Sequence, residues 1–497
     1  MKKVTISLQP LGKTIEVNQG VKLIDVLHEY GVEFPCAGKG TCGKCKIKLL
    51  NGNIAISETH RKALNTLDLD KDWRLACYSH CDEDVTFEIG QYKNIILADE
   101  TEFDIESQDG FGIAVDLGTT TMVAQLLNLS NGEILGVDKA MNPQKKFGAD
   151  LISRIQKGME GHELELTTMI RQKVEEMIYG LVKKAKVNLN KVVIVGNTVM
   201  HHSFCGHELS PLAMYPFSTP HLEGESLSTT DLGWQLKIKE PIEFYPSIGA
   251  YVGSDILAGI ISTKLYNNEK YTVLVDLGTN GEITVGNKDK IVCASTAAGP
   301  AFEGANISMG MQATTGAIST IEESDNGWKF HVIGNEKARG ICGSGLIDAV
   351  ALLQKEEKIG IFGDLASGED TVPMQDEVTL AQQDIREFQL AKAAIAAGIE
   401  ILIKELKITN DDIHSVYIAG GFGSYINLDH VIATGMLEFP KEKIHKMGNT
   451  ALIGAKMLLF QNMDFVKPIL EKTNHISLES AAEFQDIYVE KMMFVNA

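Results

Sequence analysis

Residues 34–45 read FPCAGKGTCGKC, and this stretch decides the first domain of the chain. Cys36, Cys42 and Cys45 are separated by five and then two residues, and Gly38, Gly40 and Gly43 occupy the gaps. A loop that wraps tightly around inorganic sulfide must turn sharply and point backbone N–H groups inward, which glycine permits through positive φ angles. The fourth thiolate is expected at Cys77 in RLACYSHC, after an intervening strand and loop. Four cysteines can also hold a structural zinc tetrahedrally, although a glycine-rich single loop and a long gap to the last ligand suit zinc poorly. Upstream, Val4 to Leu8 alternate apolar and polar, Gly12 and Lys13 turn the chain, and Thr14 to Val17 alternate again, which predicts a β-hairpin. Leu23, Val26 and Leu27 recur at helical spacing, and Gly31 stops that helix just before the cysteine loop.

The cysteine pattern resembles that of the [2Fe–2S] ferredoxins with a β-grasp fold. The resemblance implies that Cys36, Cys42, Cys45 and Cys77 bind the cluster, in a domain spanning 1–95. The first gap of five residues looks more like the adrenodoxin and bacterial branch than the plant type, so a plant-like potential does not follow. Cys81 reads as a bystander, and Cys205, Cys293 and Cys342 read as buried free thiols.

DETEFDIESQDG, at 99–110, is polar and acidic and closes an expected linker over 96–110. Beyond it the chain, over 111–497, carries a duplicated pattern. Ile113 to Val115 form an apolar run ending in Asp116, followed by LGTTT, a second strand from Met122 to Leu127 and a hairpin turn at Asn131-Gly132. Later come Val273 to Val275, Asp276, LGTNGE, a strand from Ile283 to Val285 and a turn at Asn287 to Lys290. Both copies are strand, turn, strand. A Walker loop instead leads into a helix and carries a Lys, so a different phosphate site is implied. Backbone N–H groups at Gly118, Thr119 and Thr120, and at Gly278, Thr279 and Asn280, can cradle phosphate oxygens from two sides. Asp116 and Asp276, each at a strand end, suit a hydrated Mg²⁺, which takes only one or two protein oxygens.

A third element, SVYIAGGFGSYIN at 415–427, supplies Gly420, Gly421 and Gly423 after a strand from Val416 to Ala419. With the two hairpins it resembles the adenosine motif of the family containing actin, the heat-shock 70 ATPase domain and sugar kinases. That resemblance implies a two-lobed actin-like (ribonuclease H-like) α/β ATPase domain with ATP between the lobes. Ile170, Val174, Met177, Ile178, Leu181 and Val182 form one helical core stripe, and Asp384 to Leu406 another with Asp384 as N-cap. The segments GNTVMHH, GPAFEGANISMGM and GICGSGLIDAV read as glycine-rich loops near a ligand or partner. His201 and His202 read as packed or surface histidines, with no acidic or Cys partner at ligand spacing. Asp255, in VGSDILAG, fits either a helix cap or a base that orients the attacking water.

The fusion of these parts, with NPQ at 142–144, GADLISRI at 148–155 and GPAFEGANISMGM, resembles the ATP-dependent reductive activators of corrinoid proteins. The resemblance implies one-electron reduction of Co(II) to Co(I) in a corrinoid methyl-transfer protein, with ATP, Mg²⁺ and a low-potential electron donor. Longer relatives carry a further domain between ferredoxin and ATPase, where this chain leaves room for a linker, so the oligomeric state stays open. A small-molecule kinase would use the same cleft but has no need of a ferredoxin. A redox-responsive sensor or scaffold would bind nucleotide without reducing a corrinoid. An activator of a radical-type dehydratase would share a [4Fe–4S] cluster between subunits. The formal charge of −20, from 66 acidic and 46 basic residues, disfavours a nucleic-acid partner. No run of 18 apolar residues and no leader pattern is present, so the expected setting is the cytoplasm, without membrane contact.

Overall fold

The alternation at Val4, Ile6 and Leu8 becomes the strand Lys3–Gln9, which buries those three side chains and pairs antiparallel with Lys13–Asn18. In this computed structural model the described residues are 2–9, 13–30, 32, 34, 36, 38–41, 43, 45–67, 69, 71–89, 105–148, 150–215, 217–278, 280–324, 327–423 and 425–494. Val85–Glu88 pairs parallel to the other edge of the first strand, and Lys46–Asn51 and Trp73–Leu75 complete a five-stranded sheet. The helix Ile24–Leu27 joins the same core, flanked by the buried Leu23 and ending in the buried Leu27. This is the expected β-grasp arrangement. Gly12 and Gly31, read as a turn and a helix stop, lie outside the described residues.

Residues 96–104 of the expected linker also lie outside the described residues. At its far end, Ser107 Oγ donates to the Ser130 carbonyl and Gln108 N to that of Leu129, fastening the chain to the lobe that follows.

Two six-stranded sheets repeat one plan. In the first lobe, Phe111–Leu117, Thr121–Asn128 and Ile134–Met141 form an antiparallel meander, and Lys191–Gly196 and Ile242–Phe244 extend it in parallel. In the second, Tyr271–Leu277, Gly281–Gly286 and Ile291–Thr296 form the meander, extended by Ile413–Ala419 and Ile444–Gly448. Central strands such as Lys191–Gly196 are buried along their whole length, because both faces are covered, and they read as unbroken apolar runs. The helix Glu163–Ala185 buries Ile170, Val174, Met177, Ile178 and Leu181 against the first sheet, the stripe its spacing foretells.

The second long helix differs from expectation. It spans Gln382–Glu405, so Asp384 sits inside the first turn rather than at the cap. Its carboxylate accepts from the Ala381 N–H at 2.8 Å and from Ser308 N and Oγ at 2.7 and 2.6 Å, tying the helix start to the GPAFEGANISMGM loop. Sequence periodicity does not register that remote partner.

The helices Ser254–Ser262 and Thr450–Leu458 cross between the lobes within one apolar cluster that draws on both sheets. Gly454 is required there, since a Cβ would overlap the Ala258 carbonyl. The ferredoxin domain meets the first lobe where Lys146 Nζ lies 3.5 Å from Asp25 and 2.9 Å from Glu165. No helix among the described residues is long and apolar enough to cross a membrane.

Candidate functional site

Asp116 and Asp276 are the penultimate residues of the first strands of their respective sheets and face one cavity of about 430 Å³ between the lobes. Asp276 pairs with Glu282 across the hairpin, so both carboxyls project from the same face of the sheet. Asp255, from the crossing helix Ser254–Ser262, also lines the cavity, as does Glu303, so five acids face it.

Their electrostatics follow from enclosure. Burial pushes Asp116 up to about 6, and a hydrogen bond from the Asn449 amide at 2.7 Å opposes that rise. Asp276 is pushed up to about 7, first by burial and then by the charge of Asp116. Asp255 also rises to about 7, through burial and then Asp276. Glu282 lies well above the usual carboxylate range, through burial and then Asp255 and Asp276. Carboxyls that raise one another's proton affinity leave an unmet demand for positive charge, which a metal cation satisfies.

The first hairpin turn, Gly118 to Thr120, is held from behind. The Asn142 side chain donates to the Gly118 carbonyl at 2.9 Å, and its backbone N–H donates to the Thr120 carbonyl at 2.9 Å. The fully buried Arg154 donates to the carbonyls of Thr119 and Gly148. Asn197 caps the helix Thr198–Cys205 through Met200 N and donates to Thr119 Oγ1 at 2.8 Å. The NPQ, GADLISRI and GNTVMHH segments thus converge on one loop. Thr120 Oγ1 reaches across the cleft to Glu303 at 3.4 Å, which brings GPAFEGANISMGM into the site.

In the second loop, Gly278 and Asn280 line the cavity, and Thr279 lies outside the described residues. Gly420, at φ 88°, begins the short helix Gly420–Gly423, and a Cβ there would lie 2.8 Å from Asp276 Oδ1. Gly420 thus lets the chain turn directly against the Asp276 carboxylate. Gly343, Ser344 and Tyr425 complete that side of the cavity. Gly421 and Gly423 belong to the same short helix, and Gly423 is buried outside the cavity lining.

Asp255 is not the helix cap. Gly253 holds that position, and Asp255 Oδ1 accepts from the adjacent Ile256 N–H, at 2.9 Å. Glu282, Glu303, Asn142, Arg154, Asn197 and Asn449 are site residues that sequence reading did not single out. Glu282 was legible, because it ends the quoted LGTNGE and pairs with Asp276 in the hairpin. Asn449 carried no such signal.

In the ferredoxin domain, Cys45 Sγ stands 3.3 Å from Cys77 Sγ, and Cys36 is near enough for its charge to raise Cys45 further. Gly38, Gly40 and Gly43 have φ of 80°, 72° and 67°, the inward-turning conformation the loop requires. Converging thiols on such a loop fit a [2Fe–2S] cluster; Cys42 lies outside the described residues. Cys81 is fully buried and its thiol faces the Glu83 carbonyl, away from a ligand role.

One reading needs correction. His201 and His202 are packed, but His201 does have ligand-type neighbours: Cys205, one helical turn on, and Glu225. The spacing of four between His201 and Cys205 was readable as one helix face; the approach of Glu225, from an edge strand, was not.

A family profile described as the C-terminal domain of RACo, the ASKHA domain, matches residues 270–497. One described as the RACo middle region matches 111–268, and one described as a 2Fe-2S iron-sulfur cluster binding domain matches 6–82. The corrinoid activation enzyme RamQ of Eubacterium limosum is 34% identical over 422 residues, 77% of this chain and 70% of that protein. The [Co(II) methylated amine-specific corrinoid protein] reductase of Methanosarcina barkeri is 26% identical over 77% of each chain. A solved structure titled reductive activator for corrinoid, iron-sulfur protein superposes with a TM-score of 0.68 at 26% identity, covering 99% of this chain and 98% of that one.

Proposed function

The chain belongs to the RACo family of corrinoid-protein reductive activators, and from that membership we propose that it uses ATP to return a corrinoid methyl-transfer protein from Co(II) to Co(I). What supports this reading is the presence, in one chain, of a loop of converging cysteines and two hairpin turns that line one carboxylate-lined cleft. Cys36, Cys42, Cys45 and Cys77 would hold a [2Fe–2S] cluster, which would supply single electrons, received from an external low-potential donor, for the partner's cobalt.

The remaining chemistry belongs to the ATPase lobes. Gly118, Thr119 and Thr120 hold phosphate oxygens from one side, and Gly278, Thr279 and Asn280 from the other. Asp116 and Asp276 would hold Mg²⁺, which would relieve the mutual repulsion of the buried acids. Asp255 orients the water that attacks the γ-phosphate, and Gly420 and Gly421 admit the adenosine. Nucleotide favours the closed lobes only by binding that state more tightly, and hydrolysis removes the preference. For a one-electron step, each mismatch of about 59 mV is tenfold in equilibrium, so a deficit of a few such factors could be offset by nucleotide-linked conformational change.

The test is anaerobic mixing of the cluster-loaded protein with a Co(II) corrinoid protein and a low-potential reductant, following Co(I) absorption with and without Mg-ATP. ATP-dependent Co(I) formation that disappears in a folded Asp276→Ala variant is the expected result. Nucleotide binding without any Co(I) signal across several corrinoid partners would favour the sensor reading instead.

A further inference from the structure

The helix Thr198–Cys205 begins at the cleft, where Asn197 fixes Thr119, and ends in a group of side chains that the ATPase cleft does not use. His201 and Cys205, four residues apart, share one face of that helix. Glu225, at the start of the edge strand Glu225–Leu227, reaches both of them: one donor atom from each of the three lies within 4.8 Å of the others. His207, just past the helix end, points its Nε2 at the same Glu225 oxygen, which is also 3.6 Å from His201 Nε2.

His201 is the informative member. Its ring is completely buried against Phe244, and neither ring nitrogen has a hydrogen-bond partner. Buried polar atoms are rarely left so, and an orphaned imidazole aimed at a thiol and a carboxylate calls for an electrophile between them. Imidazole, thiolate and carboxylate together are the donor set of zinc-class ions, whereas calcium and magnesium take oxygen ligands.

We propose that His201, Cys205, Glu225 and His207 form a second metal site, for a zinc-class divalent cation, at the end of the helix that Asn197 caps. Binding releases the Cys205 thiol proton to solvent and pins the segment between Gly206 and Glu225 to the helix. The site is separate from the ferredoxin cysteines in both position and ligand type.

The test uses the untagged, cluster-loaded full chain, equilibrated with Zn²⁺, dialysed and analysed for zinc and iron together. One zinc per chain beyond the cluster iron is expected, with a zinc-edge X-ray absorption spectrum showing one sulfur among nitrogen and oxygen neighbours. Cys205→Ser should remove that sulfur without changing iron content or cluster absorption. His201→Ala should weaken zinc binding by at least about tenfold against a chelating indicator. A wild-type chain that retains no zinc, or a zinc shell without sulfur or with four sulfurs, overturns the proposal even if the His201 variant does not fold. So does binding that both substitutions leave unchanged.

Discussion

Asn449 donates its side-chain amide to Asp116 at 2.7 Å, although 333 residues separate them in the chain. The bond joins the strand Phe111–Leu117 to the cap of the helix Thr450–Leu458, which the chain reaches only after laying down five of the six strands of the second sheet. It also supports the charged form of Asp116, which burial has already pushed up to about 6. Asn449→Leu should therefore move the acid limb of the ATP-hydrolysis pH profile upward by about one unit, the equivalent of one hydrogen bond to a charged group. An unchanged acid limb, with the variant folded, would show that Asp116 ionisation does not control turnover.

Arg154 braces the first hairpin turn from behind. It is fully buried and donates to the carbonyls of Thr119 and Gly148, contacts that a planar guanidinium satisfies in different directions and a lysine ammonium does not reproduce. Arg154→Lys should cost about 2 to 4 kcal/mol in denaturant unfolding, because buried acceptors lose their donor. It should also raise the KM for ATP by about tenfold, the kinetic equivalent of about 1.4 kcal/mol in loop placement. A stability loss with unchanged KM would confine Arg154 to the core of the lobe.

The contact of Lys146 with Asp25 joins the ferredoxin domain to the first lobe, with the Asp25 side chain 44% exposed and that of Lys146 16% exposed. Exposed pairs contribute at most about 1 kcal/mol, but reversal replaces attraction with repulsion. Asp25→Lys, on the ferredoxin side and remote from the cleft, should leave ATP hydrolysis within about twofold of wild type while increasing the radius of gyration in small-angle scattering. Unaltered scattering would mean that apolar contacts hold the two parts together without this pair.

Much of this arrangement was legible because it is local. Three glycines between three cysteines foretold positive φ at Gly38, Gly40 and Gly43, and strand, turn, strand around LGTTT and LGTNGE foretold the paired hairpins. What escaped was set by remote partners. Asp384 looked like a cap by sequence distance alone, yet its carboxylate also binds Ser308, 76 residues earlier. Arg154 and Asn142 sat inside quoted motifs, but nothing in a linear reading aims their side chains at the loop of Gly118 to Thr120. His201 and Cys205 stand at helical ligand spacing, and the third donor, Glu225, arrives from an edge strand whose register only the folded sheet fixes.

The converging acids of the cleft also predict how stability depends on pH. Asp255 and Asp276 titrate near about 7 in the folded chain against an ordinary 3.8, so between those values the folded state holds protons that the unfolded state has lost. Their favourable contribution is therefore complete below about pH 4 and is lost as pH rises through about 7. Without nucleotide and Mg²⁺, the melting temperature should fall across this interval. Asp255→Asn removes one of the repelling charges and should flatten the fall, raising the melting temperature at alkaline pH by several degrees. Mg-ATP should restore more stability on the alkaline side than on the acid side, because there it neutralises carboxylates that protons no longer cover. Scanning calorimetry over this pH range, with and without Mg-ATP, measures each effect. Parallel melting curves for the wild type and Asp255→Asn would show that the acids are discharged by other means, and the assignment of the cleft as a cation site would lose its electrostatic basis.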